Sequence, residues 1–162
     1  AENERMHLLT CLKMFEASRI TRAMVVVAQF GMTPALFLVY MIKPAAMHRF
    51  VGYLEETAVH TYANIVKHVE TPGTKLHKSW GQLPAPTIAV KYWKLEEGRK
   101  TWLDTLKCML ADEAHHRDVN HCLAEIKPGE GNPFIQEHMD NFDDAAIRRT
   151  EQLLKASIKN NS

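Results

Sequence analysis

At 162 residues, with 46% apolar residues and a formal net charge of +1, the chain fits one compact domain and carries no strong global field that would direct it to nucleic acid or to an acidic substrate. Any attraction to a membrane surface has to be local. Three cysteines, Cys11, Cys108 and Cys122, are an odd number without the spacing of a disulfide scaffold or a zinc ribbon, so they are expected as buried small hydrophobes in a reducing compartment.

The chain opens on Ala1-Glu2-Asn3-Glu4, already inside a helical pattern, and reads as N-terminally cut. From about Asn3 to Arg22, apolar residues at helical spacing (Leu8, Leu12, Phe15) with no Gly or Pro predict one helix. From Ala23 to Ile42 there is no charged residue, and Arg19 and Arg22 before it and Lys43, His48 and Arg49 after it make both flanks basic. Such a stretch wants lipid or a deep core. A helical pattern follows from about Met47 to Glu70, stopped by Thr71-Pro72-Gly73. A polar, Pro-rich connection carries Trp80, Pro84 and Pro86, with a short helical piece expected near Ala89 to Leu95. The last long helix runs from Trp102 to Ile126 and closes at Lys127-Pro128-Gly129. One amphipathic helix is expected near Asp140 to Ile158. No strand alternation occurs, so the fold class is all-α, with a bundle over residues 1–127 and a tail over 128–162.

Two Glu-x-x-His pairs stand on separate helices, Glu4 with His7 and Glu113 with His116. Spacing i, i+3 puts each pair on one face. In the last helix Trp102, Leu106, Met109, Glu113, His116, Asn120 and Leu123 form one stripe, so a carboxylate and an imidazole are turned into a core. Leaving such a charge unpaired there costs roughly 3 kcal/mol or more, which a cation would offset. In the middle helix Glu55 shares the inward stripe with Val51, Ala58, Tyr62, Ile65 and Val69, while Glu56 lies on the polar stripe of His60, Ala63, Lys67 and Glu70. Dinuclear carboxylate bundles use a lone Glu on each of two helices and Glu-x-x-His on each of two others. Iron or manganese suits such donors, and spacing does not choose between them.

The bland readings stand beside this. A single Glu-x-x-His is commonly a solvated helix-face contact. Asp112 with His115, one position out of step, competes with Glu113 and His116, its stripe holding Thr105, Cys108 and Cys122. An inward Tyr62 is more often core than redox partner, and Trp93 and Trp102 are core by default.

The words AENERMHL, RFVGYLEETAVHTY, PAPTIAVKYW and ADEAHHRDVNH resemble, in order and approximate spacing, those of the alternative oxidases, mitochondrial rather than plastid in the NERMH word. The resemblance covers nearly all of Ala1 to about Ala124. It implies a ferritin-like di-iron four-helix bundle with an interfacial membrane helix. It also implies a non-electrogenic ubiquinol oxidase that reduces dioxygen to water at two non-haem iron ions. By position, Glu4 would bridge the irons with His7 beside the site. Glu55 would be the lone carboxylate, Glu113 and His116 would complete the metal set, and Tyr62 would be the redox-active tyrosine thought to carry a transient radical. Thr61, with Thr57 and Ala58, matches the quinol pocket. Asn3, His48, Asp112 and Trp93 match the hydrogen-bonding shell, and Arg117 belongs to the same word as Glu113.

Two departures are visible. The family usually reads LEEEA where Leu54-Glu55-Glu56-Thr57-Ala58 stands, so Thr57 replaces a carboxylate near the quinol pocket. The first carboxylate helix, in a LET word, is absent from this sequence. The expected partners are ubiquinol, dioxygen and one leaflet of the mitochondrial inner membrane; a homodimer is left open. The run from Ala23 to Ile42 has the roughly 20 residues of a span, but a span would separate Glu4 from Glu55, and Gly31 and Pro34 are expected to interrupt it. A monotopic helix is therefore expected. Another di-iron hydroxylase or ferroxidase and an inactive membrane-associated fragment are the competing readings.

Overall fold

The structure, a computed structural model, describes residues 2–127 and 129–135. The chain divides into two compact units, Ala1–Glu125 and Ile126–Ser162. The helix expected near Asp140 to Ile158 lies outside the described residues. Among those described there is no strand, only an isolated bridge between Pro84 and Thr101.

The first unit holds six helices: α1 (Glu2–Met14), α2 (Arg19–Ile42), α3 (Pro44–Glu70), α4 (Lys75–Trp80), α5 (Thr87–Tyr92) and α6 (Trp102–Glu125). The single helix expected from Asn3 to Arg22 is two. Glu16 adopts the left-handed φ of 47° that usually ends a helix at glycine. Ser18 then accepts a hydrogen bond from the Thr21 amide at 3.1 Å and starts α2. Arg22 ties the corner by donating from Nε to the Ala17 carbonyl at 3.0 Å. Within α2 the helix continues through Gly31 and Pro34; the expected interruption does not occur.

Helices α3 and α6 pack antiparallel. His48 and Arg49 near the start of α3 meet Asn120 and Glu125 near the end of α6, and Glu70 at the end of α3 pairs with Lys107 at the start of α6. Gly52 permits this approach, since a Cβ there would come within 3.0 Å of the His121 ring. The core lies toward the other end, where Val66 and Val69 meet Trp102, Leu106 and Met109. Burying side chains of this size stabilises by roughly 1.5–3 kcal/mol each.

The connection from α3 to α6 is more ordered than a polar loop. Thr74 caps α4 by accepting from the His77 amide at 3.0 Å. The Ala85 amide donates to the Lys100 carbonyl and the Trp102 amide to the Leu83 carbonyl, both at 2.8 Å. Thr101 and Asp104 cap α6 reciprocally, each backbone amide donating to the other's side chain at 3.1 Å. The short helix expected from Ala89 to Leu95 sits slightly earlier, because Pro86 fixes its start.

Helix α2 has the opposite character. None of its residues is buried, and Phe30, Val27 and Ile42 are 79%, 71% and 84% exposed. With a mean hydropathy of 1.9 over an 18-residue window it is long and apolar enough to cross a membrane by length and composition. Of the cysteines, Cys11 and Cys108 are half-buried, whereas Cys122 is exposed. None of the three is fully buried, so the expectation of buried cysteines fails, most clearly at Cys122 near the end of α6.

Candidate metal centre

Three helices bring four ligand groups together. Glu4 of α1, Glu55 of α3, and Glu113 and His116 of α6 each offer a donor atom, and these atoms all lie within 4.8 Å of one another. Glu113 is buried and Glu4 is on the open side, its side chain 50% exposed. His116 Nδ1 lies 2.7 Å from Glu4 Oε1. The stripe argument places these groups as observed: Glu55 is half-buried beside Ala58 and Tyr62, and Glu56 is exposed.

His7 stands beside this cluster. Its Nδ1 meets Glu113 Oε1 and its Nε2 meets Asp112 Oδ2, both at 3.0 Å. Both ring nitrogens are therefore engaged by carboxylates, and the four donor groups assemble without it. Asp112 is the hub of the surrounding network. Asn3 Nδ2 donates to it at 2.8 Å and Trp93 Nε1 at 2.9 Å. The two competing registers of α6 are thus both used, Glu113 and His116 at the cluster and Asp112 behind it. His48 is apart from that hub; its Nδ1 pairs at 2.9 Å with Oδ1 of Asn120, whose Nδ2 donates to the His116 carbonyl at 3.0 Å. Arg117 pairs locally with Asp118 at 2.8 Å. Tyr92 was not singled out in the sequence, yet its hydroxyl accepts from Asn3 at 3.3 Å. Only adjacency to Trp93 marked it.

Electrostatics shows what the cluster lacks. Burial, followed by the hydrogen bond to Glu113 and the charges of Glu113 and Glu4, pushes the Glu55 carboxyl up to about 8. Burial also disfavours charge on Glu113, but the hydrogen bonds from His7 and Glu55 and the charges of His7 and His116 together outweigh it and hold this carboxyl low. One proton therefore stays with the pair, on Glu55. At His7 burial opposes charge, yet hydrogen bonds to Asp112 and Glu113 raise its pKa to about 9. The Glu4 hydrogen bond raises His116. Protons are doing here what a cation would do, and hard oxygen donors with one imidazole fit iron or manganese.

Between their ordinary values and these raised ones, Glu55 and His7 hold protons in the folded state that the unfolded chain releases. The metal-free fold is thus expected to lose stability as pH rises, from 4.5 to about 8 through Glu55 and from 6.5 to about 9 through His7. Melting temperatures of the metal-free intact protein should fall between pH 6.5 and 9, and a divalent metal should remove that fall. A metal-free profile that rises over this range would mean the cluster does not retain protons.

Next to the cluster is an apolar hollow of about 460 Å³, lined by Thr57, Ala58, Thr61, Tyr62, Trp80 and Trp102 among others. All three residues expected at the quinol pocket, and the expected redox tyrosine, share this one wall. Cys11 of α1 and Phe15 just after it also line it; from the sequence Cys11 is expected only as a buried small hydrophobe and Phe15 only as part of a helical apolar stripe. Tyr62 connects hollow and cluster. Burial raises its phenol pKa, and the charges of Cys11, Glu113 and Glu4 add to that.

Carboxylates and an imidazole directed inward from separate helices define a ferritin-like carboxylate metal bundle. Residues 1–125 match the family model described as alternative oxidase, and the chain belongs to that family. It is 51% identical over 141 residues to the mitochondrial alternative oxidase of Emericella nidulans, covering 86% of this chain and 39% of the relative. With the mitochondrial alternative oxidase of Ajellomyces capsulatus it shares 44% over 156 residues, 96% of this chain and 43% of the relative. The Neurospora crassa protein of the same description is 42% identical over 139 residues, 85% of this chain and 38% of the relative. The chain thus spans about two fifths of the length of these relatives.

Proposed function

We propose that the protein containing this chain is a ubiquinol:oxygen oxidoreductase of the mitochondrial inner membrane, with two non-haem iron ions as cofactor. The observation that carries this reading is the juxtaposition of a four-ligand cluster with an apolar hollow that shares Tyr62 with it. Glu4, Glu55, Glu113 and His116 would hold the metal. Asp112, supported by Asn3 and Trp93, fixes His7 against Glu113, as outer partners orient ligands in metal sites generally. Two quinols and one dioxygen give two quinones and two waters, so four hydrogen atoms pass from the organic substrate to oxygen and none is pumped. Iron supplies electron transfer to dioxygen when bound. The chain's residues supply the rest: Tyr62 keeps a neutral phenol at the boundary, Glu55 holds a proton, and the apolar wall receives the ring. Quinol-dependent oxygen uptake by the intact protein, dependent on iron, tests the reading. An iron-loaded protein inert toward quinol would overturn it.

Membrane attachment follows the same geometry. Glu4 precedes α2 and Glu55 follows it, yet their donor atoms lie within 4.8 Å. A crossing by α2 would put them on opposite sides of the bilayer. The exposed apolar surface of α2, with Arg19 and Arg22 in its first turn and Lys43 after it, suits insertion into one leaflet. Reporter tags placed just before Arg19 and just after Arg49 are expected to be accessible from the same side. Access from opposite sides would refute both the topology and the shared cluster.

A further inference from the structure

A groove of about 410 Å³ lies at the corner where α1 turns into α2. It is lined by Leu9, Leu12 and Lys13 of α1, Arg22 in the first turn of α2, and Thr87 and Ile88 at the start of α5. It shares no lining residue with the metal cluster or with the hollow beside Tyr62. Leu9, Leu12 and Ile88 make it apolar, Lys13 and Arg22 make it positive, and no carboxylate lines it. Among the described residues neither cation forms an ion pair. Arg22 spends Nε on the Ala17 carbonyl at 3.0 Å and Nη2 on the Leu12 carbonyl at 3.5 Å, which fixes the guanidinium at the corner with further N–H donors to spare. Two like charges on one such cavity repel each other, and an anion between them relieves that repulsion.

We propose that this groove binds one anionic phospholipid, its phosphate held by Lys13 and Arg22 and an acyl chain laid along Leu9, Leu12 and Ile88. This rests on the one-leaflet reading of α2 above and adds a defined site where that reading needs only a diffuse attraction. Because Arg22 belongs to the first turn of α2, the groove opens at the depth where the basic flank of that helix meets headgroups. A free phosphate has no use for the aliphatic side chains, and a fatty chain has none for the cations. A phospholipid carries both, phosphate joined to chain. A zwitterionic headgroup brings an ammonium that Lys13 and Arg22 repel, so the charge of the lining selects a lipid of net negative charge. Bound there, the lipid touches α1, α2 and α5 at once, and it fastens α1, which carries Glu4, to the membrane surface.

The test counts lipid held by the protein. Native mass spectrometry of the intact protein, released from non-ionic detergent, resolves chains that carry a lipid from chains that do not, and titration gives the affinity of the first one bound. Phosphatidylglycerol is expected to bind at least about fivefold tighter than phosphatidylcholine, the factor that one cation near a membrane surface is worth. Lys13→Gln should weaken phosphatidylglycerol by about fivefold. Arg19→Gln removes the same charge from the same flank without touching the groove, and should change that affinity by less than about twofold, although both variants bind phosphatidylglycerol vesicles more weakly. Ile88→Trp, which fills the groove, should abolish the retained lipid and leave vesicle binding in place. Equal losses in Lys13→Gln and Arg19→Gln, or equal affinity for the two lipids, would overturn the site and leave only a diffuse field. Equally tight binding of glycerophosphoglycerol, the same headgroup without chains, would make it a phosphate site and overturn the lipid. Failure of the unaltered protein to bind phosphatidylglycerol vesicles would overturn the one-leaflet reading of α2 as well.

Discussion

Replacing Glu55 with alanine in the intact protein is expected to abolish metal binding, whereas replacing Glu56 leaves metal content unchanged. Adjacent on α3, the two carboxylates differ by about 100° around the helix. Glu55 is turned to the cluster with Glu4, Glu113 and His116, and Glu56 to solvent. Removing a partner behind a metal ligand already costs roughly 10–100-fold in affinity, so loss of a direct oxygen donor should exceed that. Collapse of the fold would not explain the loss. Burial and the Glu113 carboxylate disfavour charge on Glu55, so the metal-free Glu55→Ala protein should melt no lower than the unaltered one at pH 8. Metal per chain and metal-free melting temperature are the two measurements. Equal metal loss in both variants would refute the assignment of faces.

This pair also marks how far sequence carried the argument. Period 3.6 separates Glu55 from Glu56 without any coordinates, and the same reasoning set Glu113 in the stripe of Trp102, Leu106 and Met109, where it is buried. Long helices with continuous apolar stripes were legible because burial itself imposes the period. The corner at Glu16 was not, since it rests on one left-handed residue and the Ser18 cap. Helix α4 is short and owes its start to Thr74, a cap that polar loops also contain in abundance.

The site shows a different limit. Spacing places a side chain on a face, but does not tell whether its polar atoms are free. His7 satisfies the Glu-x-x-His pattern as well as His116 does, yet Asp112 and Glu113 take both its nitrogens. Asp112 comes from the register that competed with Glu113, and only the third dimension shows that both registers are needed. Likewise the hollow draws on α1, α3, α4 and α6. Cys11 and Trp80 are far apart in sequence and gave no sign that they share a wall.

Tyr62→Phe is expected to leave metal content and fold intact while removing most quinol oxidation. The substitution deletes one oxygen and retains the ring that packs against the core cluster. Among the described residues the Tyr62 hydroxyl has no hydrogen-bond partner, so its loss leaves no buried acceptor or donor unpaired. The stability change should stay within about 1 kcal/mol. Activity is another matter under the proposed function. Tyr62 lines the hollow and senses the charges of Glu113 and Glu4, which places its phenol to pass a proton and an electron between ring and cluster. Burial keeps that phenol protonated at neutral pH, so the hydrogen is there to give. A loss of about 100-fold in kcat, corresponding to roughly 2.7 kcal/mol of barrier, with little change in KM would fit a role in transfer rather than in binding. A rise in KM alone would make Tyr62 a wall residue. Near-normal turnover in Tyr62→Phe, with unchanged metal content, would reduce it to core.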